Sequence, residues 1–269
     1  LLSDDLRMHS GIATMSRELV VGSSHKYNWF QVGAALKHPD HGKVIDISQD
    51  VNKNAGINDS DVKVMPNEGY GNSGLIRALI KKEKPDALFI FTDPRYWIWL
   101  FEIEREIRNK IPIIWLNIWD DYPAPMYNKD YYNSVDCLMG ISKQTVNINK
   151  LVLGDDAIDK IINYVPHGIN DKHFFPINED NPLHSELIKF KDQTIPHPDI
   201  EFLVYFNSRN IHRKRPGDVI LAFKLFCDQI GVEAAKKVVL VMHTEVSNNH
   251  GTELKAVKDR EVVEKDVDV

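Results

Sequence analysis

The chain has 269 residues, 43% of them hydrophobic and 27% charged, ordinary values for a folded protein and enough for two α/β domains. Its formal net charge of -6 argues against a protein that coats nucleic acid or an anionic membrane surface. The longest apolar runs, such as residues 87–91, are too short to span a bilayer, and Cys137 and Cys227 lack metal-ligand spacing, so they read as free thiols in a reducing compartment.

In chain order, Leu1-Leu2-Ser3-Asp4-Asp5 reads as the end of a strand whose beginning lies upstream. A glycine-ended polar loop, 7–11, leads into a helix over 12–21 with Ile12, Met15, Ser16 and Leu19 on one face. Short strands are expected at 44–47 and 62–65, and a helix over 75–82 that stops at Lys84-Pro85, because the residue before proline avoids helical geometry. A strand at 87–91 ends on Thr92-Asp93-Pro94 and is followed by a helix over 97–109 with Ile98, Phe101, Arg105 and Arg108 at helical spacing. Residues 112–116 form the next strand and 117–125 a polar, aromatic loop; a strand at 137–141 then leads to Ser142, which caps a helix over 143–153. A strand at 161–165 ends on Pro166-His167-Gly168. The polar stretch 178–198 reads as linker and surface turn, after which the rhythm restarts: strand 202–206, loop 207–216, helix 218–230, strand 238–242, a loop, then a last helix and a charged tail. This βαβα alternation predicts two Rossmann-like domains with parallel sheets, the first over 1–176, a linker over 177–200, and a partial second domain over 201–269. Two strands cannot cover both faces of a sheet, so the second domain is expected to be truncated and weakly stable alone.

Four segments at the ends of strands could carry chemistry. Ser208-Arg209-Asn210-Ile211-His212-Arg213-Lys214-Arg215 gathers four cations and a histidine between a strand and a helix, where open α/β sheets bind ligands. A diphosphate fits this pattern: arginine binds it bidentately, lysine as a point charge, and the helix N-terminus adds amide donors. The strand-end position favours an anion site over a solvated basic turn. His9-Ser10-Gly11 opens the first helix, and Gly11 leaves room for a ligand to approach the backbone. It is not a dinucleotide fingerprint. His167, beside Gly168, either orients a ligand or bonds the backbone, while Ile169 and Phe174 are expected to pack. Asp120 and Asp121 in the 117–125 loop, with Asp93 at the neighbouring strand end, could position a sugar hydroxyl or act as general base, or cap a turn. The dense aromatics around them, Tyr96, Trp97, Trp99, Trp115, Trp119 and Tyr122, are part core and part suited to stacking on carbohydrate.

In this order the segments resemble the retaining glycosyltransferases of GT-B fold known as family 4. The resemblance is carried by Gly11-Ile12-Ala13 with its helix, Lys84-Pro85-Asp86 and Ile111-Pro112-Ile113-Ile114. It continues through the element from Asp136 to Ser142 with Lys143, and Pro166-His167-Gly168-Ile169-Asn170 with Phe174-Phe175-Pro176. Arg209 and Lys214 then match the family's donor-loop arginine and lysine, and Ala222-Phe223 follows in the next helix. Ser208 replaces a glycine, Asn170 an aspartate, and Trp119-Asp120 stands where the family often carries histidine-aspartate. The resemblance implies metal-independent transfer of a sugar from a nucleotide-diphosphate sugar to an acceptor with retention. No cofactor and no nucleic acid are expected, and the acceptor (carbohydrate, lipid or protein) is left open. Arg209 and Lys214 would neutralise the diphosphate, Gly11 would approach it from the other domain, and Asp120 would be the catalytic carboxylate. His167, Gly168, Asp93 and Asp121 are further cleft candidates. The family's later glutamates have no counterpart after Met242, since Glu261 and Glu264 lie in the charged tail, so this polypeptide is expected to transfer slowly or not at all. A noncatalytic nucleotide- or sugar-binding remnant and a GT-B sugar-nucleotide epimerase are the alternatives. The implied location is cytoplasmic, with peripheral membrane association open.

Overall fold

The structure, a computed structural model, describes residues 1–34, 37–195 and 198–261. It divides into two units, Leu1–Phe174 and Phe175–Val269. Glu264 and residues 196–197 of the expected linker lie outside the described residues.

The first unit is built on one sheet of eight strands: β1 (Leu2–Asp4), β2 (Trp29–Ala34), β3 (Ile45–Asp46), β4 (Val62–Pro66), β5 (Leu88–Phe91), β6 (Ile113–Asn117), β7 (Cys137–Gly140) and β8 (Ile161–Tyr164). Their spatial order is β3-β4-β2-β1-β5-β6-β7-β8, parallel throughout except for the two-residue edge strand β3. The connecting helices are α1 (Gly11–Ser23), α2 (Ser48–Ala55), α3 (Ser73–Glu83), α4 (Ile98–Phe101), α5 (Glu104–Arg108), α6 (Lys129–Asn133) and α7 (Lys143–Leu153). This is the α/β architecture that the alternation predicts, a Rossmann-like sheet with two apolar layers. One layer is centred on Trp97, Leu100, Ile113, Trp115, Tyr132 and Leu138, the other on Val20, Val62, Val64, Phe91 and Leu116.

Local chemistry explains the helix ends. Ser10, Asn72 and Ser142 each accept a hydrogen bond from the third residue onward and so start α1, α3 and α7. Lys84 takes a left-handed conformation (φ 47°) that ends α3 before Pro85. Several expectations change. Residues 29–34 form a strand and 48–55 a helix where neither was expected. The buried line of α1 is Ala13, Ser16 and Val20, with Ile12 and Met15 only flanking it. The expected helix over 97–109 is a 3₁₀ turn (Pro94–Trp97) and two short helices, because the backbone leaves helical geometry at Trp97 (φ -114°, ψ 16°) and again at Ile103 (φ -114°, ψ 15°). Ile169 and Phe174 are 79% and 72% exposed rather than packed, since after Val165 the chain leaves the sheet and runs as irregular turns.

The second unit holds α8 (His184–Thr194), β9 (Phe202–Asn207), α9 (Pro216–Ile230), α10 (Val232–Ala235), β10 (Val238–His243) and α11 (Leu254–Glu261). The middle of the expected linker is thus helix α8, whose eleven residues include none that are buried. β9 and β10 pair in parallel from Phe202–Val238 to Asn207–His243. Ile220, Phe223, Cys227, Leu240 and Leu254 form the core that α9, α10 and α11 share with β10. Leu203 and Tyr205 point away from it and stay exposed, as expected for a two-stranded sheet that is covered on one face. Cys137 and Cys227 are both free and buried. Among the described residues no helix is long and apolar enough to cross a membrane.

Candidate functional site

In the first unit the strand order reverses between β1 and β5, since β1 is followed on one side by β2 and on the other by β5. Open α/β sheets leave a crevice outside the carboxyl ends at such a point. β1 is buried along its length despite Ser3, Asp4 and Asp5, because each polar group has a partner. Gln31 on β2 donates to the Ser3 hydroxyl (2.7 Å) and to the Asp4 carbonyl (2.8 Å), while its amide oxygen accepts from the Leu6 amide (3.0 Å). Ser16 of α1 donates to Ser3 (3.0 Å). The Asp4 carboxylate emerges at the strand's end, where it accepts from Ser10 (2.8 Å) and from the Tyr70 phenol (3.0 Å). Tyr70 stacks on Tyr96 with centroids 4.1 Å apart and meets Trp97 edge-on.

At the end of β5, Thr92 has φ 153°, a conformation unusual for a β-branched residue, and its carbonyl accepts from the buried Trp115 indole (3.2 Å). Asp93 is committed: it accepts from the Arg95 amide (2.9 Å) and from a two-pronged guanidinium bond (2.9 and 2.7 Å). Burial raises the Asp93 carboxyl, but the Arg95 hydrogen bonds and charge outweigh it, and its pKa lies below the ordinary carboxylate value. Asp93 therefore serves as an anchored anion and not as a base.

Gly11 is the exposed first residue of α1, and nothing lies within 4 Å of where a Cβ would stand; the same holds for Gly168. His167 is solvent-exposed as a residue, yet its ring meets Phe91 of β5 edge-on at 5.7 Å. The segment after β8 thus crosses back over the carboxyl edge of the sheet, and Asn170 beyond it donates to Glu18 of α1 (3.0 Å). Partial desolvation lowers the His167 pKa, so the imidazole is neutral at pH 7. Because the unfolded chain takes up the proton first, any stability this histidine contributes is complete above the ordinary value of about 6.5 and fades as pH falls through the folded value. A proton NMR titration of its ring should give a midpoint below 6.5, and His167→Gln should remove that resonance alone.

Asp120 and Asp121 follow β6 and are exposed. Asp121 caps its own turn by accepting from the Tyr122 amide (2.8 Å), and Trp119 donates to the Asp121 carbonyl (3.1 Å). Asp120 is anchored through its backbone carbonyl, which accepts from Gln144 (2.8 Å). Of the expected aromatics, Trp97 and Trp115 are core and Trp99 and Trp119 pack against it, whereas Tyr96 and Tyr122, with Tyr127, are exposed around these loops. Gly11, Asp93, Asp120, Asp121, His167 and Gly168 all belong to the carboxyl edge of this one sheet.

Sequence reasoning missed Tyr70 and Asp4, which pair across 66 residues. Burial, with the Asp4 charge and hydrogen bond adding to it, raises the Tyr70 phenol above its ordinary pKa. The unfolded chain then loses the proton first, so this contribution to stability is complete below about pH 10 and declines as pH rises through the folded value. In an ultraviolet titration, Tyr70→Phe should leave the absorbance gained up to about pH 10 unchanged and reduce only the later-titrating part.

In the second unit the loop after β9 carries the basic run. Arg209, His212, Arg213, Lys214 and Arg215 are exposed, and Asn210 between them is fully buried. Arg215, left-handed at φ 49°, pairs with Asp218 (2.5 Å) and precedes Pro216, the first residue of α9. Arg209, Arg213 and Lys214 have no carboxylate partner among the described residues. The loop after the neighbouring β10 lies alongside, with His243 and Asn207 side chains 3.1 Å apart and the His212 amide donating to the His250 carbonyl (3.0 Å). Three cations held at a strand's carboxyl end, next to a helix start, can take up a polyanion such as a diphosphate. Among the described residues no group of three or more His, Cys, Asp or Glu could hold a metal ion. No family model matches the chain, and no curated protein matches it.

Proposed function

We propose that the chain acts in a retaining glycosyltransferase of GT-B type, with the second unit binding the nucleotide-diphosphate sugar and the first serving the acceptor. The observation that carries this reading is the loop after β9, where Arg209, Arg213 and Lys214 stand exposed with no carboxylate partner among the described residues. Like charges so placed repel one another until an anion sits among them. Negative charge grows on the diphosphate as the glycosidic bond breaks, so cations fixed there stabilise the transition state more than the ground state. Of the three candidate carboxylates Asp93, Asp120 and Asp121, Asp120 is committed neither to an arginine nor to its own turn, and it would orient the acceptor hydroxyl. The two buried free thiols suit a cytoplasmic location.

Calorimetric titration with UDP, GDP and ADP tests the reading. At least one is expected to bind, and Arg209→Ala and Lys214→Ala should each weaken it by about tenfold to a hundredfold, the loss of a charge-assisted hydrogen bond. Incubation with the matching nucleotide sugar and NMR of the released or transferred sugar would show the anomeric outcome. Absence of nucleotide binding at millimolar concentration, or binding indifferent to Arg209→Ala, would falsify the assignment.

A further inference from the structure

The basic loop is held open by a residue that carries no charge. Asn210 is fully buried, and its side chain is spent on the loop that follows β10: the amide donates to the carbonyls of Glu245 (3.0 Å) and Thr252 (2.6 Å), and its oxygen accepts from the Thr252 amide (2.9 Å). The fit leaves no slack, since a Cβ on Gly251 would overlap both the backbone and the side-chain oxygen of Asn210. The His212 amide bond to the His250 carbonyl adds a further tie between the same two loops. On either side of Asn210 the side chains of Arg209 and of residues 212–215 face solvent.

We infer that Asn210, closed against Gly251, is the positioning residue of the anion site: it joins the two strand-end loops of the second unit into one rigid cradle and so fixes the backbone that carries Arg209 and Lys214. The inference rests on the proposed donor reading and adds what sets the site's affinity. Four cations in seven residues, Arg209 to Arg215, would drive a free loop toward extended states, and an anion would then have to gather them at an entropic cost. Three hydrogen bonds from one buried amide side chain pre-order the loop before the anion arrives. Charge supplies the attraction and Asn210 supplies the geometry.

Inorganic pyrophosphate is the probe, because it tests the diphosphate contact without a base or a sugar. Calorimetry on the full chain, well below its melting temperature, would compare the parent with Arg209→Ala, Asn210→Ala, Asn210→Ser and Gly251→Ala. Asn210→Ala and Gly251→Ala are expected to weaken pyrophosphate about tenfold, with the loss appearing as a less favourable binding entropy and with the salt dependence of the parent, since no charge has been removed. Arg209→Ala should instead flatten the salt dependence. Hydrogen exchange over residues 207–215 should rise in the two staple variants and be restored by saturating pyrophosphate, a response that general destabilisation would not give. Should Asn210→Ala fail to fold by circular dichroism, Asn210→Ser and Gly251→Ala carry the comparison. Parent-like affinity in the staple variants, alongside weakened binding in Arg209→Ala, overturns the inference and leaves the donor reading standing. Parent-like affinity in Arg209→Ala overturns the donor reading, and the role given to Asn210 goes with it.

Discussion

Trp115→Ala is expected to lower the unfolding free energy of the first unit by about 3–5 kcal/mol, the usual cost of emptying a fully buried indole site. Trp115 lies in the middle of β6 with no exposed surface, tilted against Phe101 at 6.0 Å and edge-on to Tyr132 at 5.3 Å. Its indole N–H is also the donor to the carbonyl of Thr92, the residue at β5's end with φ 153°. Trp115→Phe separates the two contributions: it keeps most of the packing and removes the donor, so a loss of about 1–3 kcal/mol is expected from the unpaired carbonyl and the smaller ring. The measurement is direct, because all five tryptophans, at 29, 97, 99, 115 and 119, belong to the first unit. Urea unfolding followed by tryptophan fluorescence therefore reports that unit alone. A change below about 1 kcal/mol for Trp115→Ala would mean that the layer repacks around the gap.

Arg7→Ala should cost about 3 kcal/mol by the same measurement, the lower end for breaking a buried charge pair, because water reaches part of the guanidinium. Asp5 has no exposed surface, and Arg7 grips it with both prongs, at 2.8 and 2.7 Å, and with its own amide at 2.9 Å. Truncating the side chain leaves a carboxylate in the core with a single amide for company. Arg7→Lys restores the charge but not the fork and should recover about half of the loss. Gly33→Ala attacks the pair from the opposite side, since a Cβ there would overlap the Asp5 carboxylate. It is expected to destabilise in the same direction, and combining it with Arg7→Ala should cost less than the sum of the two because both act on one carboxylate. Additive losses would show that the Asp5 pair is not their common target.

The sequence carried the sheet's rhythm well wherever caps and β-branched runs coincided. The start of helix α7 could be read to the residue because Ser142 caps it, and its buried positions recur at helical spacing. β2 escaped notice because Gln31 and Gly33 interrupt its apolar pattern; both are there for partners 25 to 28 residues away, which no local window contains. α2 and α8 escaped for the opposite reason, since α2 buries only Val51 and α8 nothing, so neither shows an apolar stripe. The site divides in the same way. Strand-end position pointed to the Arg209 loop, the Gly11 turn and the Asp93 turn, yet it could not tell that Asp93 is occupied by Arg95 and Asp121 by its own turn. Asp4 with Tyr70, and Asn210 with Thr252, meet across 66 and 42 residues, distances at which chemistry becomes visible only after the chain has folded.

The place of β1 in the sheet has a consequence for the growing chain. β1 is a central strand, but both its neighbours are made later: β2 follows after α1, and the pairing of Leu2 with Ile90 waits for β5. During synthesis its β5 side is an unpaired edge until Leu88–Phe91 has been made, and long-range parallel pairing is slow to form. Ser3, Asp4 and Asp5 interrupt Leu1, Leu2 and Leu6 within that segment. The residues that later knit the switch point together are thus also charged and polar breaks in an apolar run, the pattern that guards a waiting strand against aggregation.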